Sequence, residues 1–78
     1  LVLFRELQEA ANITRVQIRF RDDDGKMLDK ETSLAFAQAT FAEGKAVAIQ
    51  IAYSFDGQHW SDTLQVGSEM TKIIRLQR

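Results

Sequence analysis

From Ile13 onward the apolar positions fall on every second residue: Val16, Ile18 and Phe20 alternate with Arg15, Gln17, Arg19 and Arg21. A period of two places successive side chains on opposite faces, so this segment is predicted to be a strand with one buried and one wet side. Upstream, Leu3, Phe4, Leu7, Ala10 and Ala11 recur at helical spacing with Arg5, Glu6, Gln8 and Glu9 between them, and Asn12 is a suitable stop. That stripe predicts an amphipathic helix. Asp22-Asp23-Asp24-Gly25-Lys26 must turn the chain, since Asp-Gly readily takes positive φ, and Met27-Leu28 are expected to pair back briefly. Thr32 to Glu43 is alanine-rich, opens on hydroxyl residues that can cap free N–H groups, and ends at Gly44, which predicts a second helix. Leu34, Ala37 and Phe41 share one face of it, but Phe36 points away from them. A helix apolar nearly all round wants cover on more than one side.

Past Gly44, Val47, Ile49, Ile51, Tyr53 and Phe55 alternate with Ala46, Ala48, Gln50, Ala52 and Ser54. Asp56-Gly57 turns the chain, and Trp60, Leu64 and Val66 answer on the next strand with Asp62 as the one acid in the apolar register. After Gly67-Ser68-Glu69, the segment Thr71 to Arg78 reads as a last strand with Ile74 and Leu76 inward, Arg75 and Gln77 outward, and Ile73 out of place. The order implies an α+β fold: a mainly antiparallel sheet of three to five strands, including a C-terminal three-stranded meander, with one or two helices packed on it. A β-grasp-like arrangement is the nearest alternative. One small α+β domain is expected over residues 1–78, and because the chain begins at Leu1, a fragment of a longer chain fits the pattern.

Seventy-eight residues lie near the size at which a single core only just outweighs chain entropy, so oligomerisation is a natural means of stabilisation. Hydrophobic residues at 45% and charged ones at 27%, with no proline, fit a soluble globular chain rather than a disordered one. A net charge of −1 provides no general attraction to nucleic acid or to anionic membrane. The absence of cysteine removes disulfides, thiolate ligands and thiol nucleophiles together, and leaves the cytoplasm as the default compartment. The longest N-terminal apolar run, Leu1 to Phe4, is far short of the roughly 20 residues of a membrane span, and no membrane partner is expected.

The stretch from Tyr53 to Asp62 gathers the only histidine, tryptophan and tyrosine. As strand neighbours, His59 and Trp60 must point to opposite faces, so the stretch reads as a device that closes a hairpin. Ser54, Asp56, Gly57 and Trp60 resemble the Asp-box hairpin of sialidase-like repeats over seven residues, but here the glycine follows the aspartate directly, and nothing is carried over. Asp22, Asp24, Gly25 and Glu31 match positions three, five, six and twelve of an EF-hand loop, yet Phe20 stands at position one where the first carboxylate belongs. A hydrated acidic turn is the expectation, and no metal site.

Arg15, Arg19 and Arg21 share a strand face, and Lys72, Arg75 and Arg78 gather at the C-terminus. Side by side, those strands would form a basic stripe able to contact phosphates, although every strand aromatic falls on the other register and none is placed to stack bases. For catalysis, any Ser–His–Asp triad would need His59, and no serine sits in a nucleophile-elbow pattern. Asp62 is expected to cap a turn or pair with an arginine, and neither an enzyme nor a cofactor is expected.

Ala46, Ala48, Gln50, Ala52 and Ser54 are small and weakly polar where a solvated strand would carry long charged side chains. Something should pack there: the N-terminal helix through Leu3, Phe4 and Leu7, a second copy, or another protein. Phe36 is a second candidate contact. The expected function is a non-catalytic protein-interaction or self-association module, with Phe36, Ala48, Gln50 and Ala52 as candidate contacts. The alternative is a nucleic-acid-binding domain using Arg15, Arg19 and Arg75.

Overall fold

The alternating segments pair into one five-stranded, wholly antiparallel sheet in a computed structural model of the chain, which describes residues 2–78. The elements in chain order are α1 (Val2–Ala10), β1 (Asn12–Arg21), β2 (Met27–Thr32), α2 (Leu34–Ala42), β3 (Ala46–Phe55), β4 (Gln58–Val66) and β5 (Thr71–Gln77). Across the sheet the strands run β2-β1-β3-β4-β5, so β3, β4 and β5 form the expected meander and the two edges are β2 and β5. The fold is α+β, with both helices on one side of the sheet.

Three turns hold these registers. Between β1 and β2 the Asp22 carboxylate accepts the backbone N–H of Asp24 at 2.9 Å and of Lys26 at 2.8 Å, while Gly25 takes φ +78°. Between β3 and β4, Asp56 and Gly57 both have positive φ, which matches a two-residue hairpin turn to the strand twist. Between β4 and β5 the Gly67 N–H donates to the Met70 carbonyl at 2.9 Å, leaving only Ser68 and Glu69 in the loop.

The core lies between sheet and helices. Val16 faces Ile51, Ile18 faces Ile49, and Ile49 faces Leu64, so one side of the three central strands is an aliphatic floor. Leu3, Phe4 and Leu7 of α1 and Ala37 of α2 close over it, each large buried aliphatic side chain contributing roughly 1.5–3 kcal/mol. Ser33 caps α2 by accepting the Phe36 N–H, and the buried Thr40 hydroxyl donates to the Phe36 carbonyl, so the close approach of this helix strands no polar group.

Several expectations are corrected. Met27–Thr32 pairs with β1 along all six residues rather than briefly. In β5 the faces are the reverse of those expected: Ile73 lies opposite Leu64 and Arg75 opposite Asp62 on the helix side, and Ile74 and Leu76 point to the other side. A bulge places Ala46 opposite Phe20 and Ala48 opposite Arg19, so Val47 drops out of the alternation and Ala46 enters the core in its place. Phe55, though it continues the apolar register of β3, is half exposed beyond the end of the core. Nor is Phe36 stranded, because β1 and β2 extend past α2: its ring meets Phe20 edge-to-face at 5.7 Å and Lys30 Nζ lies 4.4 Å from its centroid.

Candidate interaction surface

With both helices on one side, the opposite side of the sheet is covered by none of the described elements. α1 takes Leu3, Phe4 and Leu7 to the core side, and so does not cover the small residues of β3 as one expectation had it. The bare face can be built row by row from the strand registers. Arg15, Ala52, Ser61 and Leu76 form one row; Glu31, Gln17, Gln50, Thr63 and Ile74 the next; Asp29, Arg19, Ala48, Gln65 and Lys72 the third. Of the candidate residues, Arg15, Arg19, Ala48, Gln50 and Ala52 are thus brought together, while Phe36 and Arg75 lie on the helix side.

The small side chains make the middle of the face low. Ala48 and Gln50 lie in an open trough of about 560 Å³ between the Arg19–Asp29 pair and Thr63. Ala52 and Ser61 are buried although no helix covers them, sitting in a smaller hollow lined by Arg15 and Arg78. His59 is exposed on this side opposite Ser54, and Trp60 is on the other side opposite Tyr53, as strand alternation requires.

The arginines of β1 are not a free basic stripe. Arg19 donates through Nε to Asp29 Oδ1 at 2.8 Å and through a terminal nitrogen to Oδ2 at 3.2 Å, and Arg15 Nε stands 3.6 Å from Glu31. The Arg19–Asp29 hydrogen bonds push the Arg19 guanidinium above its ordinary value and hold the Asp29 carboxyl below its own. Such exposed pairs fix side-chain direction more than stability. The signal for them was in the sequence, because a tight turn closing on Asp22 and Lys26 sets Arg19 opposite Asp29 and Gln17 opposite Glu31. It also sends Asp29 and Glu31 to arginines instead of to a cation loop. The supposed basic stripe fails on topology as well, since β3 and β4 separate β1 from β5.

Arg75 plays a different part. On the helix side its Nε donates to Asp62 Oδ1 at 2.9 Å and a terminal nitrogen to Oδ2 at 2.8 Å, and the Tyr53 hydroxyl donates to Oδ1 at 3.0 Å. Asp62 is completely buried, so its position in the apolar register is satisfied by an arginine, the second of its two expected partners although alternation alone sets Arg75 on the other face, and by a tyrosine that the alternation did not connect to it. The Asp62 hydrogen bonds push the Arg75 guanidinium above its ordinary value. Leu7 and Ala10 of α1, with Ala11 just beyond its end, wall a hollow of about 260 Å³ over this group, with Glu6 and Phe55 at its margin.

Burial, and after it the Asp62 carboxylate, pushes the Tyr53 phenol above its ordinary value near 10. The folded chain therefore keeps this proton at a pH where the unfolded chain has lost it. By linkage, the contribution is complete below about pH 10 and declines as pH rises from the unfolded value toward the folded one. The chain has one tyrosine, so tyrosinate absorbance reads this group alone. The native protein is expected to titrate later than the protein in denaturant, with the urea midpoint falling above about pH 10. Coincident titration curves would contradict the burial of Tyr53.

Among the described residues, no helix is long and apolar enough to cross a membrane. Comparison with protein-family models, with curated proteins and with solved structures gives no match.

Proposed function

We propose that this chain is a non-catalytic interaction module that associates with a second copy of itself or with another protein through the sheet surface its helices leave bare. The observation that carries the reading is the uncovered face, with Ala48, Ala52 and Ser61 low in its middle and apolar Ile74 and Leu76 at its β5 margin. A face meant only for water would carry long charged side chains along its centre. Against catalysis, the one histidine lies across the sheet from Asp62 and Tyr53, and those two are committed to each other and to Arg75.

Sedimentation over a range of concentrations tests the reading. The expected result is a mass above that of one chain, which rises with concentration and is lowered by a charge introduced into the bare side of the sheet, in its middle as in Ala48→Glu or on its β5 margin as in Ile74→Lys. A chain that remains monomeric throughout would overturn self-association.

A second reading, contact with nucleic-acid phosphates, has its own support. Arg15, Arg19, Arg21, Lys72 and Arg78 fall on the bare side against Asp29 and Glu31, so this side is positive although the chain as a whole is not. No strand aromatic shares that side, which leaves phosphate contact without base stacking. Arg19→Glu with Arg21→Glu should then abolish retention on single-stranded nucleic acid at low salt without altering subunit mass. Retention that survives both charge reversals counts against it. Arg75 is unsuitable for that test because it holds Asp62.

A further inference from the structure

The two edges of the sheet are unlike. β2 carries Asp29, Lys30 and Glu31 in its middle, whereas β5 reads Thr71-Lys72-Ile73-Ile74-Arg75-Leu76-Gln77, with Ile73 43% and Leu76 61% exposed. Charged edges resist pairing and apolar ones invite it. We propose that β5 is the self-association site: two copies pair their β5 strands antiparallel about a two-fold axis at Ile74, joining two five-stranded sheets into one. This rests on the self-association reading above, names the partner as a second copy of this chain, and moves the contact from the middle of the bare face to its β5 margin, so that Ile74 and not Ala48 is the position whose charge breaks it.

The peptide groups show which bonds are free. The Arg78 N–H donates to the His59 carbonyl and the Gly67 N–H to the Met70 carbonyl, so the residues opposite each other at both ends of the β4–β5 ladder are hydrogen-bonded pairs. Such pairs alternate along an antiparallel ladder. Lys72, Ile74 and Leu76 therefore turn their peptide groups toward β4, and Thr71, Ile73, Arg75 and Gln77 turn theirs outward.

A two-fold axis perpendicular to the sheet keeps each residue and its copy on the same face, so the axis must pass through a residue rather than between two. Centred on Ile74, all seven residues find partners: Thr71 opposite the copy's Gln77, Ile73 opposite its Arg75, Lys72 opposite its Leu76. Every outward peptide group then faces another outward one, no like charges meet, and the two Ile74 side chains touch on the bare face. Centring on Arg75 or on Lys72 opposes like charges, and centring on Ile73 or on Leu76 leaves part of the strand unpaired. The other edge has no such solution, because the registers that pair most of β2 set Asp29 or Lys30 against its own copy.

Sedimentation of the chain with Ile74→Lys and Ile74→Asp tests the register. The parent is expected at twice its 8.9 kDa chain mass, each variant alone at the single mass, and an equimolar mixture of the two variants back at the double mass, since only there do opposite charges face across the axis. Amide exchange gives a check without substitution: Thr71, Ile73, Arg75 and Gln77 should lose protection on dilution while Lys72, Ile74 and Leu76 keep theirs. Variants that retain the double mass, or protection that does not alternate, overturn the pairing. An association broken by Ala48→Glu but not at Ile74 overturns the edge and leaves the bare-face reading standing. A parent monomeric at every concentration overturns the pairing and self-association with it.

Discussion

Replacing Arg75 with methionine is expected to destabilise the fold by about 3 kcal/mol, even though half of the arginine side chain lies in water. The loss comes from what stays behind. Asp62 is fully buried and accepts two hydrogen bonds from Arg75 and one from Tyr53, so without the guanidinium a carboxylate remains inside with one neutral donor. The opposite deletion is milder. Asp62→Ala frees a half-exposed arginine that can turn into water and leaves the Tyr53 hydroxyl unpaired, a loss of about 1–2 kcal/mol. Removing both charges with Asp62→Leu and Arg75→Met should recover most of the stability, because a buried ion pair contributes little beyond a well-packed apolar pair. A chain of this size has roughly 4–12 kcal/mol in total, so urea unfolding separates the three variants. If Arg75→Met unfolds at the same urea concentration as the parent, the pair is not closed to water and the account of Asp62 is wrong. If the double variant is worse than Arg75→Met, the pair adds stability that apolar packing does not replace.

Strand alternation made much of this legible. In β1, β3 and β4 one apolar residue at every second position allows a single assignment of faces, which is why Val16, Ile18, Ile49, Ile51 and Leu64 fall where the pattern puts them. It also marked Asp62 as a charge on the wrong side, to be met by a turn or by an arginine, but it set Arg75 on the opposite face. β5 was misassigned because Ile73 and Ile74 are adjacent, so either face could be the apolar one; the two-residue loop and the pull of Asp62 on Arg75 decide. β2 was underestimated since its charged residues have no apolar rhythm, and β1 imposes the pairing. The bare face was read as wanting cover, but the side on which α1 would pack was not encoded in its stripe. Leu3, Phe4 and Leu7 suit either side, and α2, already lying over β1 and β3, supplies the companion that chooses one.

That choice predicts a second large effect. Phe4→Ala should lower stability by about 3–4 kcal/mol, since the ring is 1% exposed and packs edge-to-face on Phe41 at 5.6 Å. α1 has nine residues, too few to be stable as an isolated helix in water, so its order depends on Leu3, Phe4 and Leu7 staying seated. Once the ring is gone, the helix amides should exchange sooner than those of β3. The Tyr53 phenol should also titrate nearer its ordinary value, because Leu7, Ala10 and Ala11 wall the hollow above it. Gln8→Ala, on the wet side of the same helix, should leave both measurements unchanged. The contrast with Ile74→Lys then separates the two sides of the sheet, because a charge on the bare side should remove association and with it the dependence of the urea midpoint on protein concentration, whereas Phe4→Ala should lower that midpoint at every concentration. A Phe4→Ala protein as stable as the parent would mean that α1 does not close this side of the sheet, and the bare face could no longer be told from the covered one.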